Sequence, residues 1–80
     1  MNDKQLLQLI HNTKQKLFTD YGMMVDFSDI FIQLRDNYGI DNKDLLELKI
    51  REFEKQGLLK AVYMKDPGFE ELLIGIKPNP

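Results

Sequence analysis

The chain has 80 residues, 42% hydrophobic and 30% charged, a size and balance that suit one small globular domain and leave no room for a second core. It contains no cysteine and a single histidine, which excludes disulfide bonds and thiolate metal sites. Eleven basic and thirteen acidic side chains give a formal charge of −2, so the chain lacks the overall positive charge on which most phosphate-backbone binders depend.

A first helix is predicted from Asp3 to Tyr21, because apolar residues recur there at three- and four-residue steps. This stripe consists of Leu6, Leu7, Ile10, Leu17, Phe18 and Tyr21. Gly22 then supplies the left-handed position that commonly ends a helix. The apolar run from Met23 to Val25 is too short for a helix and predicts a minimal strand.

Two further helices are predicted on either side of a short turn. Asp26 is a suitable N-cap for the second helix, which carries one apolar stripe and closes at Gly39. The pair Asp41-Asn42 offers the cap of the third helix, which ends near Gly57.

The pattern beyond Gly57 indicates two paired strands, from Leu59 to Met64 and from Phe69 to Lys77. A turn at Asp66 to Gly68 joins them, because proline presets one turn dihedral and glycine permits the next. We expect Met23 to Val25 to pair with the second of these strands. The tail from Lys77 to Pro80 contains two prolines and is expected to be loose.

The predicted core is made of the residues on these apolar stripes, with Leu72, Ile74 and Ile76 on one face of the last strand. Its members are Leu6, Ile10, Leu17, Phe27, Ile30, Phe31, Leu34, Leu46, Ile50, Phe53, Leu58, Leu72 and Ile74.

This order of elements resembles the winged helix-turn-helix superfamily. The stretch from Asp44 to Leu59 looks like the family's third helix running through a glycine into the first wing strand, and Ala61 to Ile76 would form the wing. The resemblance implies an α+β fold with three helices, a short strand and a C-terminal β-hairpin wing. In DNA-binding members the third helix enters the major groove and the wing touches a neighbouring backbone or minor groove, whereas other members bind proteins with the same surfaces.

The resemblance makes basic residues of the third helix and the wing candidate phosphate contacts. They are Lys43, Arg51, Lys60 and Lys65, with Lys77 as a further lysine beside the wing. We therefore expect a nucleic-acid-binding protein, such as a small DNA-binding regulator or an accessory factor of replication or transcription, acting on double- or single-stranded DNA. The alternative role of these lysines is to keep the chain soluble and to protect sheet edges.

The exposed face of the predicted third helix supports a different function. It carries the acids Asp44, Glu47 and Glu54, and Glu47 precedes Arg51 by four residues in the favourable order for an ion pair. Because a face that reads DNA should be basic, the alternative is an acidic adaptor or inhibitor that docks on a larger protein. A homodimer formed through the first helix is compatible with both functions.

Catalytic residues are scarce in this sequence. Ser28 is the only serine and begins the second helix, His11 lies on a polar flank of the first, and no glycine loop resembles a phosphate cradle. We expect a non-enzymatic domain over residues 1–80 that folds without a cofactor. No signal peptide or membrane span is recognisable, which predicts a cytoplasmic protein without a membrane partner.

Overall fold

The structure, a computed structural model, describes residues 1–79 and consists of three helices and a four-stranded antiparallel sheet. Its elements in chain order are α1 (Asp3–Asn12), β1 (Lys16–Phe18), β2 (Gly22–Asp26), α2 (Phe27–Tyr38), α3 (Lys43–Lys55), β3 (Leu59–Tyr63) and β4 (Leu73–Pro78). The strand order is β1-β2-β4-β3, which leaves β1 and β3 at the two edges. The predicted α+β class is confirmed.

The first helix is shorter than predicted, because α1 ends at Asn12 and the next apolar residues belong to a strand. Leu17 and Phe18 lie in β1, which pairs with β2. Gly22 does have a left-handed φ of 85°, but it begins β2 and ends no helix. The prediction of one helix from Asp3 to Tyr21 is therefore wrong.

The end of α1 has a local cause. To continue the apolar stripe by one turn, the positions three and four residues after Ile10 would have to be apolar, but they hold Thr13 and Lys14. Thr13 instead closes the helix, since its backbone N–H donates to the Ile10 carbonyl and its hydroxyl donates to the Leu9 carbonyl.

The caps of the other two helices agree with prediction. The Asp26 carboxylate accepts the Ser28 N–H and begins α2, and Gly39 closes that helix with a φ of 68°. The Asn42 side chain accepts the Leu45 N–H and begins α3.

The short strand and the hairpin are also confirmed. Val25 of β2 lies opposite Ile76 of β4, as predicted, whereas Met23 and Met24 lie opposite Leu17 and Lys16 of β1. The hairpin connection is longer than the predicted turn, because the Met64 N–H donates to the Leu72 carbonyl and β4 begins only at Leu73.

The C-terminal tail is more ordered than predicted up to Asn79. Lys77 lies opposite Lys60 and Pro78 opposite Leu59, so both belong to the ladder of β3 and β4. The Asn79 side chain donates to the carbonyl of residue 57. The predicted loose tail is therefore wrong at positions 77 and 78, and position 80 lies outside the described residues.

The core lies between the helices and one face of the sheet. It contains Leu6, Ile10, Val25, Ile30, Leu34, Leu46, Ile50, Phe53, Leu59, Ala61, Leu73 and Ile76. We call the sheet face that looks away from the helices the outer face. On that face Met24, fully buried and absent from the predicted core, lies against Gly75.

Three predicted core residues are exposed instead: Leu17, Leu58 and Leu72. Leu17 lies opposite Met23, which is exposed as well, so this part of the β1–β2 pair lies outside the core. Leu58 precedes β3, whose alternation buries Leu59 and Ala61. Ile74, Phe27 and Phe31 are half-buried.

A β-bulge explains the position of Leu72. The register of β3 and β4 shifts between Val62, opposite Gly75, and Tyr63, opposite Leu73. The bulge leaves Ile74 without a partner, so strict alternation fails and Leu73 shares the inner face with Ile76.

Candidate functional site

Arg51, a predicted phosphate contact, is bound within the protein. Its guanidinium donates to the Glu47 carboxylate at 2.6 and 3.2 Å, to the Tyr63 hydroxyl at 3.3 Å and to the Glu71 carbonyl at 3.1 Å. Its central carbon lies 4.9 Å from the centroid of the Tyr63 ring, a cation–π contact. The hydrogen bond to Glu47 raises the pKa of Arg51 above its ordinary value. Arg51 therefore connects α3 to the hairpin.

Glu54 also has a structural partner. Its carboxylate accepts the Ala61 N–H at 2.9 Å and the Tyr63 hydroxyl at 3.4 Å. Since β3 is an edge strand, Glu54 satisfies a backbone donor that would otherwise need water or another strand. Burial and the neighbouring Glu54 charge raise the pKa of Tyr63 above its ordinary value of 10.0.

The N-terminal turn of α3 holds two predicted site residues, Lys43 and Asp44, and neither makes an ion pair within residues 1–79. Both are exposed. The Lys43 ammonium lies 5.0 Å from the centroid of the Phe31 ring, so its stem and head cover part of α2. These two residues belong to the helical layer of the fold.

The remaining predicted lysines meet on the outer face of the sheet. Lys60 stands between the buried Leu59 and Ala61, and alternation therefore directs it away from the helices. Lys77 lies directly opposite it on β4. We call the surrounding depression the lysine cleft; it is lined by Asp20, Tyr21, Lys60, Ala61, Val62, Tyr63, Lys65 and Lys77.

The turn between β1 and β2 holds two of these lysines in place. The Lys65 ammonium donates to the Asp20 carbonyl at 2.6 Å, and the Lys77 ammonium donates to the Tyr21 carbonyl at 2.9 Å. The Lys65 backbone N–H donates to the Tyr21 hydroxyl at 2.9 Å, and its ammonium lies 5.0 Å from that ring centroid. The cleft is therefore built from segments more than forty residues apart.

The three lysines of the cleft make no ion pairs in the described part of the chain. Within residues 1–79, no carboxylate lies within ion-pair distance of Lys60, Lys65 or Lys77. The five ion pairs of this part of the chain involve other cations: Lys16, Arg35, Lys49 and Arg51. In a chain with a net negative charge, three lysines thus line one cleft together with a single acidic residue, Asp20.

Sequence reasoning missed Tyr21 and Asp20 as members of this site, because the predicted first helix placed them on the opposite layer. One signal was present. Tyr21 lies between Asp20 and Gly22, two residue types common in turns. The apolar stripe that begins in α1 is also interrupted before Asp20.

Comparison of the chain with protein-family models, curated proteins and solved structures found no match. None of the helices in residues 1–79 has the length and apolar character needed to cross a membrane. Over the same residues, no three acidic or histidine side chains converge as metal ligands would. What the chain binds must be inferred from its own side chains.

Proposed function

We propose that this chain is a non-catalytic nucleic-acid-binding protein of the winged helix-turn-helix type, a DNA-binding regulator or accessory factor. The element order α1, β2, α2, α3, β3, β4 supports the fold assignment, as does the pairing of β2 with β4. This is the order that the superfamily resemblance predicts. Strand β1 is an addition to it at the sheet edge.

The lysine cleft is the observation that carries the proposal. Three lysines line it without an ion-pair partner in residues 1–79 and Asp20 is its single acidic residue, so cationic side chains predominate there although the net charge is −2. Polyanions are attracted by such local fields, and lysines contact phosphate oxygens as point charges. Contacts of this kind position the protein on the backbone and are independent of base sequence.

Helix α3 contributes little to this mode of binding. Arg51 is engaged by Glu47, and Glu54 is engaged by Ala61 and Tyr63, so these charges in the middle of α3 are satisfied within the protein. Helix α3 carries as many acids as bases, so its insertion into the major groove would bring carboxylates as well as cations towards phosphates. We therefore place the contact surface on the outer sheet face and the hairpin.

Binding to a short DNA duplex across a salt series tests the proposal. We expect Lys60→Gln and Lys65→Gln each to lower the slope of log affinity against log salt by about 0.9, since each removes one phosphate contact. The matched controls Lys4→Gln and Lys55→Gln remove the same charge from exposed positions on α1 and α3 and should leave the slope unchanged. Fluorescence anisotropy gives the affinities, and urea denaturation verifies that each variant is folded.

Failure of the chain to bind DNA at low ionic strength would contradict the proposal. A different observation would then favour the adaptor function. Leu45 and Leu48, near Asp44 on α3, are 48% and 53% exposed. Apolar side chains next to acids suit docking on a basic protein surface. Capture of a host protein that is lost in Asp44→Asn and kept in Lys60→Gln would support that second function.

A further inference from the structure

We propose that the lysine cleft is a site for a single phosphate group, either from a nucleic-acid backbone or from a free phosphorylated compound. The nucleic-acid backbone as the source of the phosphate rests on the proposed function. The phosphate site itself rests on the geometry of the cleft alone.

The polar side chains of the cleft are nearly all donors. An ammonium carries three N–H groups, and Lys65 and Lys77 each give one of theirs to a backbone carbonyl. Lys60 makes no side-chain hydrogen bond within residues 1–79, so its three donors are available. A ligand for this cleft must bring negative charge and several acceptor oxygens, as a phosphate does.

The Tyr21 hydroxyl is a fourth donor group beside the three ammonium groups. Its oxygen accepts the Lys65 backbone N–H at 2.9 Å, which leaves its own proton without an acceptor in the described part of the chain. The single acidic residue at the cleft is Asp20, whose carboxylate makes no ion pair with the three lysines. Its carbonyl is already occupied by Lys65.

The size and rigidity of the cleft suit this ligand. Its volume is about 310 Å³, at the lower end of the range of small-molecule sites, which accommodates a phosphate with its attached sugar. Hydrogen bonds to the β1–β2 turn already order Lys65 and Lys77, so less side-chain freedom is lost on binding. Lys65 covers one face of the Tyr21 ring, so that face is not offered to a base.

Two-dimensional amide NMR with inorganic phosphate, at ionic strength held constant with sodium chloride, tests the site. We expect saturable shifts at Tyr21, Lys60, Lys65 and Lys77. Lys60→Gln should weaken phosphate binding roughly three- to tenfold, the range for the net loss of one hydrogen bond at an exposed position. Tyr21→Phe, which keeps the ring under Lys65 but removes the hydroxyl and its hydrogen bond from the Lys65 N–H, should weaken it as well. The control Lys4→Gln should bind as the unaltered chain does. Shifts that spread over all exposed lysines and ignore Lys60→Gln would overturn the site.

A second arm with a duplex oligonucleotide separates the two sources of phosphate. Weaker binding of both ligands by Lys60→Gln supports the site and the nucleic-acid source together. If the duplex binds and Lys60→Gln and Tyr21→Phe leave its affinity unchanged, the nucleic-acid source of the phosphate and the placement of the DNA contact in the cleft are refuted, while DNA binding itself stands. If inorganic phosphate binds in the cleft and the duplex does not bind, the site stands with a free phosphorylated compound as its ligand and the proposed function falls.

Discussion

Replacing Phe53 by alanine is expected to lower the free energy of unfolding by about 3 to 5 kcal/mol. Phe53 is 1% exposed and is the largest of the fully buried side chains, at the point where α3 meets the sheet. Truncation would remove its apolar contacts and leave a cavity that the surrounding side chains only partly fill. A small domain has a total stability of about 5 to 15 kcal/mol, so this loss should be plain in urea denaturation.

Leu48→Ala provides the matched control on the same helix. Leu48 is 53% exposed, and its truncation should change the unfolding free energy by only about 0.5 kcal/mol. A loss below about 1 kcal/mol for Phe53→Ala, or similar losses for both variants, would contradict the orientation of α3.

Replacing Gly75 by alanine is expected to lower the free energy of unfolding by about 1 to 3 kcal/mol, the range for overpacked sites. Alanine normally stabilises an extended position relative to glycine, but here its Cβ would lie 2.5 Å from the Met24 sulfur and 2.8 Å from the Val25 carbonyl oxygen. The carbonyl belongs to the backbone of the neighbouring strand, so β2 and β4 would have to move apart.

A double-mutant cycle with Met24→Ala isolates this contact. Met24 is fully buried, and its truncation alone should cost about 2 to 5 kcal/mol. Because the new methyl group of Gly75→Ala enters space vacated by Met24, the double variant should lose at least about 1 kcal/mol less than the sum of the two single variants. Additive losses would show that Met24 does not pack on Gly75.

The fold elements that could be predicted from sequence are those with local signals. Helices α2 and α3 have capping side chains at their starts, Asp26 and Asn42, and these act within a few residues. Strand β1 has no such signal, since three residues with Leu17 and Phe18 adjacent suit a helical stripe equally well. Its conformation depends on pairing with β2.

The error in β4 has a similar origin. Alternation predicted one face for Leu72, Ile74 and Ile76, whereas the bulge at Ile74 brings Leu73 to the inner face. A bulge depends on how two strands meet, and one strand's pattern does not reveal it.

The site was predictable in part. The sequence placed three lysines on or beside the predicted hairpin, and the structure brings them into one cleft: Lys60, Lys65 and Lys77. Lys43 and Arg51 lie on the helical layer, because α3 packs on the opposite side of the sheet.

Long-range contacts account for the rest of the site. Tyr21 reaches the cleft only through a turn that the sequence pattern did not predict. Glu47 and Glu54 were predicted as exposed partner-binding acids. In the structure Glu47 accepts from Arg51, which also donates to the loop before β4, and Glu54 accepts a backbone N–H of β3.

Mapping DNA binding by amide NMR tests the central claim most directly, because it asks which face of the protein the duplex touches. We predict that the largest shifts fall on Tyr21, Lys60, Lys65 and Lys77, and that the α3 amides from Asp44 to Arg51 change little. Largest shifts on α3, or no shifts at low ionic strength, would contradict the claim that this chain binds nucleic acid through the outer face of its sheet.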